Sequence, residues 1–305
     1  MRTSSFALLA VLYASFLGST AYADDTGARE STPRTAVISA FQPEWTLLQA
    51  KLQNRKDQVI NGTTFATGTI EGKPVVLFLS GISMVNAAMT TQLALDRFHV
   101  DRIVFSGIAG GVNPNLSIGD VVVPDQWSEY LESVFAREEN GRYSLPSYAE
   151  KTLANYGMMF PQPIQIAKAD GSVEKRTWFP VDAQLLATAR KAAQANLLKE
   201  CTADKKCLTH QPKIVIGGHG VSGAAFVDNK AFRQYAFKTF DAEVLDMESA
   251  AVAHVAYVNG TPFIVFRSLS DLAGGGAGAN EMGTFFQLAS DNSAAVVAAF
   301  LKALP

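Results

Sequence analysis

The chain has 305 residues, 48% of them hydrophobic and 18% charged, and a formal net charge of −2. This near-neutral balance, with no cluster of Lys or Arg, excludes an electrostatic nucleic-acid surface and a polybasic membrane contact, and points to a small-molecule partner. The length fits one large α/β domain better than two small ones.

The N-terminus opens with Met1-Arg2, continues as an apolar run from Phe6 to Gly18, and reaches Ala21-Tyr22-Ala23 just before Asp24-Asp25. A positive start, a short apolar stretch and a small-x-small site mark a removable secretory signal. The apolar run has 13 residues, short of the roughly 20 that a spanning helix needs. Residues 1–23 are therefore expected to be a signal peptide, residues 24–34 a flexible polar leader, and residues 35–305 a single domain. The destination expected is the periplasm or the medium.

From there apolar runs of strand type alternate with helical patterns. Thr35–Phe41 is a short apolar run, and Pro43–Leu52 follows with helical spacing. Pro74–Ser80 predicts a buried strand and Met84–Phe98 a helix. Arg102–Phe105 predicts another strand, ending in a glycine turn over Gly107–Gly111. Further strands are expected at Lys213–Gly217, Ala242–Leu245 and Pro262–Arg267, and further helices at Val181–Leu198, Met247–Asn259 and Phe285–Leu304. Such alternation predicts an α/β fold of three layers, with a mixed, mostly parallel central sheet flanked by helices. Residues 126–180 break the rhythm, with two of the three tryptophans and no clean period. They read as a long excursion at the sheet edge, serving as a lid or an oligomer contact. Cys201 and Cys207 are the only cysteines; in an oxidising compartment a disulfide closing the 201–207 loop is expected. A metal site would need more ligands than the nearby His210 supplies, so no metal is expected.

In an open α/β sheet, ligands bind beyond the carboxyl ends of the strands. Four such ends carry informative residues. After the first strand, Pro43 places Glu44 in the first turn of a helix, where the dipole favours a carboxylate. The glycines after Ser106 let backbone N–H groups of Ala109 and Gly110 approach a ligand. Asp246-Met247-Glu248 brackets a methionine with two carboxylates where a strand gives way to a helix; Asp246 could equally be a plain N-cap. Arg267-Ser268-Leu269-Ser270-Asp271 is a polar and charged cluster directly after the apolar Pro262–Phe266.

Taken together, these ends resemble the nucleoside phosphorylase and nucleosidase superfamily, in particular the methylthioadenosine/S-adenosylhomocysteine nucleosidases. The likeness runs from about Ala36 to Leu304. It rests most specifically on Asp246–His254, on Arg267–Asp271, and on Val221-Ser222-Gly223-Ala224-Ala225-Phe226, which looks like the segment that holds the base. The cysteine loop and Leu269–Gly275 also resemble the plant bark and vegetative storage relatives of these enzymes.

The resemblance implies a purine N-ribosyl hydrolase without a cofactor, acting on an adenosine-type nucleoside as a homodimer or larger assembly. Asp271 would serve purine N7, oriented by Ser270. Glu248 would accept the ribose hydroxyls and oppose the oxocarbenium-like charge. Met247 would pack on the sugar, Glu44 would polarise the attacking water, and Phe226 with Val227 would lie against the base. Arg267 and Phe41 would belong to the substrate pocket. The chain departs from the pattern at three places: Ala224 replaces a usual Asp, Ile108 a usual Ser or Thr, and Phe41 a frequent Met. It also has Phe105-Ser106 where bacterial hexameric phosphorylases place a phosphate-binding arginine, which favours water over phosphate as acceptor. Two other readings remain open here: a phosphorylase, and a nucleoside-binding or storage protein with little activity.

Exported protein is expected to begin at Asp24 and to carry Cys201 linked to Cys207. Peptide mapping without reduction checks both, and two free thiols in exported material would remove the structural reading of that loop.

Overall fold

Continuous Val, Ile and Phe runs with no polar face must be covered on both sides, and here they form the middle of one sheet. The computed structural model describes residues 29–167, 171–194 and 198–305. The signal read over residues 1–23 and the first part of the polar leader, residues 24–28, lie outside them. The chain proceeds through β1 (Glu30–Ser39), α1 (Gln42–Lys51), β2 (Gln53–Ile60), β3 (Thr63–Ile70), β4 (Lys73–Leu79), α2 (Met84–Arg97), β5 (Phe98–Gly111), β6 (Val121–Val123) and β7 (Gln126–Glu129). Three two-stranded ribbons follow: β8 (Ser133–Phe135) with β11 (Met159–Pro161), β9 (Arg137–Glu139) with β10 (Arg142–Ser144), and β12 (Ile164–Ala167) with β13 (Val173–Arg176). The last third holds β14 (Phe179–Pro180), α3 (Ala183–Ala192), β15 (Ile214–Ile216), β16 (His219–Ser222), α4 (Lys230–Phe240), β17 (Ala242–Asp246), α5 (Ser249–Val258), β18 (Phe263–Asp271) and α6 (Met282–Ala303).

The main sheet runs β14-β7-β16-β17-β5-β1-β4-β3-β2, with β18, β6 and β15 branching from β5. Its centre is parallel: β1 pairs with β4 and β5, and β5 with β18. Helices α1, α3 and α6 pack together on one face, while α2 and α5 pack together on the other. The mixed, three-layer α/β arrangement is the expected one.

The path of β5 positions the site. One edge pairs with β18 as far as Gly110. The other pairs with β1 only to Phe105, and β17 joins it, antiparallel, at Gly110 and Gly111. Residues 106–109 thus lack a strand neighbour on that edge, and the loops after β1 and β17 meet there.

Several expectations are corrected. Residues 30–34 are not flexible leader but the first half of β1, because Glu30, Arg34 and Thr35 find partners on β5. Gly107–Gly111 is not a turn but the end of β5, and its glycines serve close packing rather than chain reversal. The helix expected over Val181–Leu198 is confined to Ala183–Ala192, starting where the Asp182 carboxylate accepts the N–H groups of Gln184 and Leu185. The excursion over 126–180 begins and ends inside the main sheet, since β7 and β14 pair with each other at its edge. Cys201 and Cys207 are disulfide-bonded. No helix among the described residues is long and apolar enough to cross a membrane.

Candidate active site

Helix α1 starts at Phe41, whose extended backbone precedes the first turn. Glu44, three residues on, folds back so that Oε2 accepts the N–H groups of Ala40 (2.6 Å) and Phe41 (3.4 Å). This reach from the third helical residue back to the cap is the usual carboxylate half of a capping box. The other oxygen, Oε1, accepts the Ile108 N–H at 2.8 Å, in the gap along β5. Glu44 is only 2% exposed, so it is no ordinary first-turn glutamate.

Asp246 ends β17; the N-cap of α5 is Glu248, and Asp246 lies two residues before it. Its Oδ1 accepts the N–H groups of Glu248 and Ser249 and the Ser222 hydroxyl. Its Oδ2 accepts the Arg267 Nε–H at 2.6 Å and the Ser249 hydroxyl. Glu248 lies at the start of α5, where its Oε1 accepts the Ser83 N–H at 2.7 Å. Ser83 presents that N–H from φ +80°, a conformation that non-glycine residues adopt rarely and keep only when their surroundings enforce it.

The hub of these three carboxylates is Arg267. Its side chain is fully buried, with Nη1 3.7 Å from Glu44 Oε1 and Nη2 3.5 Å from Glu248 Oε2. The guanidinium lies over the Phe105 ring, 4.1 Å from its centroid. Arg267 stands opposite Gly107 in the β18–β5 register, and a Cβ on Gly107 would sit 1.7 Å from Nη1. Only glycine fits there.

Asp271, at the end of β18, belongs to a separate cluster. Its Oδ2 accepts the Ser270 hydroxyl at 2.9 Å, and its Oδ1 accepts the Ala273 N–H at 2.8 Å and the Asn280 amide at 3.4 Å.

These groups surround one cavity of about 200 Å³. Glu44, Asp246, Glu248, Ser270 and Asp271 supply its polar groups, and Ala109 and Gly110 its backbone wall. Phe41, Phe226, Val227 and Met247 line it as the sequence predicts, joined by Ile82, Ile108, Leu245 and Met282. Phe226 is 56% exposed, so one ring face is open for stacking. Arg267, expected in the pocket, is not among the residues that line the cavity; it is fully buried behind the carboxylates, with Nε on Asp246. Among the described residues, Nε is the one hydrogen-bonding nitrogen of its guanidinium, and both Nη atoms are buried without a hydrogen-bond partner. Sequence reasoning also passed over Ser83 and Gly107; the lone clue was a glycine where Cβ-bearing residues would make a better strand.

Burial pushes the Glu44, Glu248 and Asp271 carboxyls up. The Glu44 carboxyl is raised by burial, against the pull of Arg267 and its backbone donors. Glu248 is raised to about 7, by burial first, with Arg267 opposing and Asp246 and Glu44 adding to the rise. Asp271 is raised by burial, against the Ala273, Ser270 and Asn280 donors. At neutral pH Glu248 can thus hold or release a proton, and raised carboxyls of this kind are what general acid–base chemistry uses.

A profile of the phosphorylase superfamily matches residues 34–302. The chain is 32% identical to the 5'-methylthioadenosine/S-adenosylhomocysteine nucleosidase of Bacillus licheniformis over 244 residues, which is 79% of this chain and 87% of that one. The Neisseria meningitidis nucleosidase of the same name, solved with methylthio-immucillin-A, superposes with a TM-score of 0.67 at 26% identity, covering 89% of this chain and 99% of that one. The Colwellia psychrerythraea nucleosidase, solved with adenine, gives a TM-score of 0.69 at 26% identity over 91% of this chain and 98% of that one.

Replacing Arg267 by Met is expected to cost roughly 3–5 kcal/mol at about pH 8, the scale for removing one partner of a buried ion pair. The sign of the pH dependence follows from the raised carboxyls. Between the ordinary glutamate value of 4.5 and the Glu248 value of about 7, the folded state binds more protons than the unfolded one. Stability therefore falls as pH rises through that window, and more steeply once Arg267 is gone. Denaturant unfolding should find the Arg267→Met deficit shrinking toward about pH 5. A deficit independent of pH would show that the guanidinium does not balance these carboxylates.

Proposed function

The chain belongs to the phosphorylase superfamily, and from that premise we propose that it is an exported purine nucleosidase that cleaves methylthioadenosine-type nucleosides with water, releasing free base and free sugar. Its membership and its nucleosidase relatives make it an N-ribosyl hydrolase. The finer terms, export and the methylthioadenosine-like substrate, are our reading. The leader-like segment over residues 1–23 and the disulfide support export. The apolar ring of Phe41, Ile82, Ile108 and Met282 supports a nucleoside with an uncharged, apolar 5′ substituent.

The observation that carries the choice of water is the distribution of charge. Among the described residues that line the cavity, four are carboxylates and none is Lys, Arg or His. The one nearby guanidinium, Arg267, is shared among three carboxylates and does not line the space. A phosphate dianion would meet carboxyl groups and no cation in that lining, whereas a neutral water fits beside Glu44.

The chemistry follows from what each residue can do. As the N-glycosidic bond breaks, positive charge grows on the ribose and negative charge on the base. Asp271 donates its proton to purine N7 while Ser270 holds the carboxyl in line. Glu248 accepts the ribose hydroxyls, and its negative charge opposes the growing cation. Glu44 takes a proton from water as the oxygen bonds to the anomeric carbon. The roles ascribed to Met247 and Phe226 are packing on the sugar and on the purine face. Three backbone N–H groups hold Glu44 in place, with the buried Arg267 guanidinium beside it.

Incubation with a nucleoside panel, with and without phosphate, tests the reaction. Free sugar in both conditions is expected, a sugar 1-phosphate would make the chain a phosphorylase, and binding without turnover would leave a nucleoside-binding protein. Asp271→Asn should lower turnover of adenine nucleosides by about 10²-fold, yet spare nucleosides with activated leaving groups, which need no proton. Glu248→Gln should raise KM and lower kcat together, and Glu44→Gln should lower kcat alone.

Exposed Ile82, Val85 and Met89 run from the cavity rim along α2, which supports a homodimer or larger assembly. Sedimentation of the mature protein should find it; a monomer at micromolar concentration would count against it.

A further inference from the structure

The acid of the proposed reaction, Asp271, has a second carboxylate behind it. Asn280 sits between the two. Its Oδ1 accepts the Met282 N–H at 2.9 Å, at the entry to α6. A backbone N–H can only donate, so this contact fixes which end of the amide is which. The two hydrogens on Nδ2 then face Asp271 Oδ1 at 3.4 Å and Asp228 Oδ1 at 3.1 Å.

The placement of Asp228 is built into the backbone. The next residue, Asn229, donates its N–H to the Ala273 carbonyl at 3.2 Å, two residues past Asp271. Gly274, at φ +84°, approaches this segment so closely that a Cβ would lie 2.4 Å from the Asn229 nitrogen and 2.7 Å from the Asp228 carbonyl carbon. Asn229 also caps α4 by accepting the Phe232 N–H. Segment 226–229 and the loop after Asp271 are thus locked together by a hydrogen bond and a glycine contact.

We propose that Asp228 and Asn280 are positioning residues for the leaving-group acid: the amide fixes the Asp228 charge behind Asp271, so that the free enzyme keeps the proton it will hand to the base. This rests on the reading of Asp271 as that acid. The Asp228 charge pushes the Asp271 carboxyl in the same direction as burial does, upward, whereas the three donors to Asp271 pull it down. The other charged groups around this corner have different partners. Arg233 of α4 donates to the carbonyls of Gly111 and Asn113. Glu281 lies against Gly276 on the loop, and Glu44, Asp246 and Glu248 gather on Arg267.

The test compares the mature wild type with Asp228→Asn, Asn280→Ala, the double variant and Asp271→Asn. Profiles of kcat/KM against pH are recorded for an adenine nucleoside and for a nucleoside with an activated leaving group. For the adenine nucleoside, Asp228→Asn should move the high-pH limb down by about half a pH unit, as loss of a neighbouring like charge requires. The activated substrate should show no shift. In the Asn280→Ala background, the shift caused by Asp228→Asn should shrink by about half or more. Because Asp228 is exposed, Asp228→Ser serves as a second variant that should fold and behave like Asp228→Asn. Superimposable wild-type and Asp228→Asn profiles, or the same shift on both substrates, would overturn the proposal while the acid reading stands. A shift undiminished without Asn280 would overturn the part given to the amide. If Asp271→Asn slows both substrates equally, the acid reading fails and this inference fails with it.

Discussion

Taking a guanidinium out of water costs several kcal/mol, and the cost is offset only where geometry brings enough negative charge to it. Arg267 meets that condition with three carboxylates from two separate parts of the chain: Glu44 at the start of α1, and Asp246 and Glu248 at the β17–α5 junction. Each must arrive in register. A slip of one residue between β18 and β5 would put a side chain where Gly107 leaves room for the guanidinium. Ser83 accepts a strained φ to donate to Glu248, and the open edge of β5 lets the Ile108 N–H reach Glu44. The charge hub and the sheet topology are therefore one arrangement.

Much of the architecture was legible in the sequence because burial on two faces leaves a plain mark. Pro74–Ser80 and Pro262–Arg267 are continuous apolar runs, and both are central strands. Polar strands leave no such mark. β2 opens Gln-Asn-Arg-Lys-Asp-Gln and buries only its last residue, Ile60, because it is an outer edge where charge discourages pairing with other chains. The front of β1 was hidden in the same way. Glycines misled for a different reason: at Gly107 and Gly111 the missing Cβ makes room for Arg267 and Leu269, and no local pattern separates that use from a turn.

At the site, Glu44, Glu248 and Asp271 stood out because each follows an apolar run at the end of a strand where ligands gather. The direction in which Arg267 points did not, since it depends on a residue more than a hundred positions away and on three partners. The departures at residues 108 and 224 read differently once placed. Ile108 gives Glu44 an N–H that any residue but proline would supply and adds an apolar wall to the cavity, while Ala224 is exposed and lies outside the lining.

The two ends of the cavity are anchored in different ways. Glu44, Asp246 and Glu248 are welded to the middle of the sheet through Arg267. Asp271 is steadied by a glycine-rich loop, residues 272–281, and by the segment it touches. With the roles proposed for these residues, substitutions in that loop would alter which leaving groups are accepted while the other charges stay where they are. A lineage carrying this fold would then explore new bases by drift in one short segment, with its sugar chemistry held constant by the core.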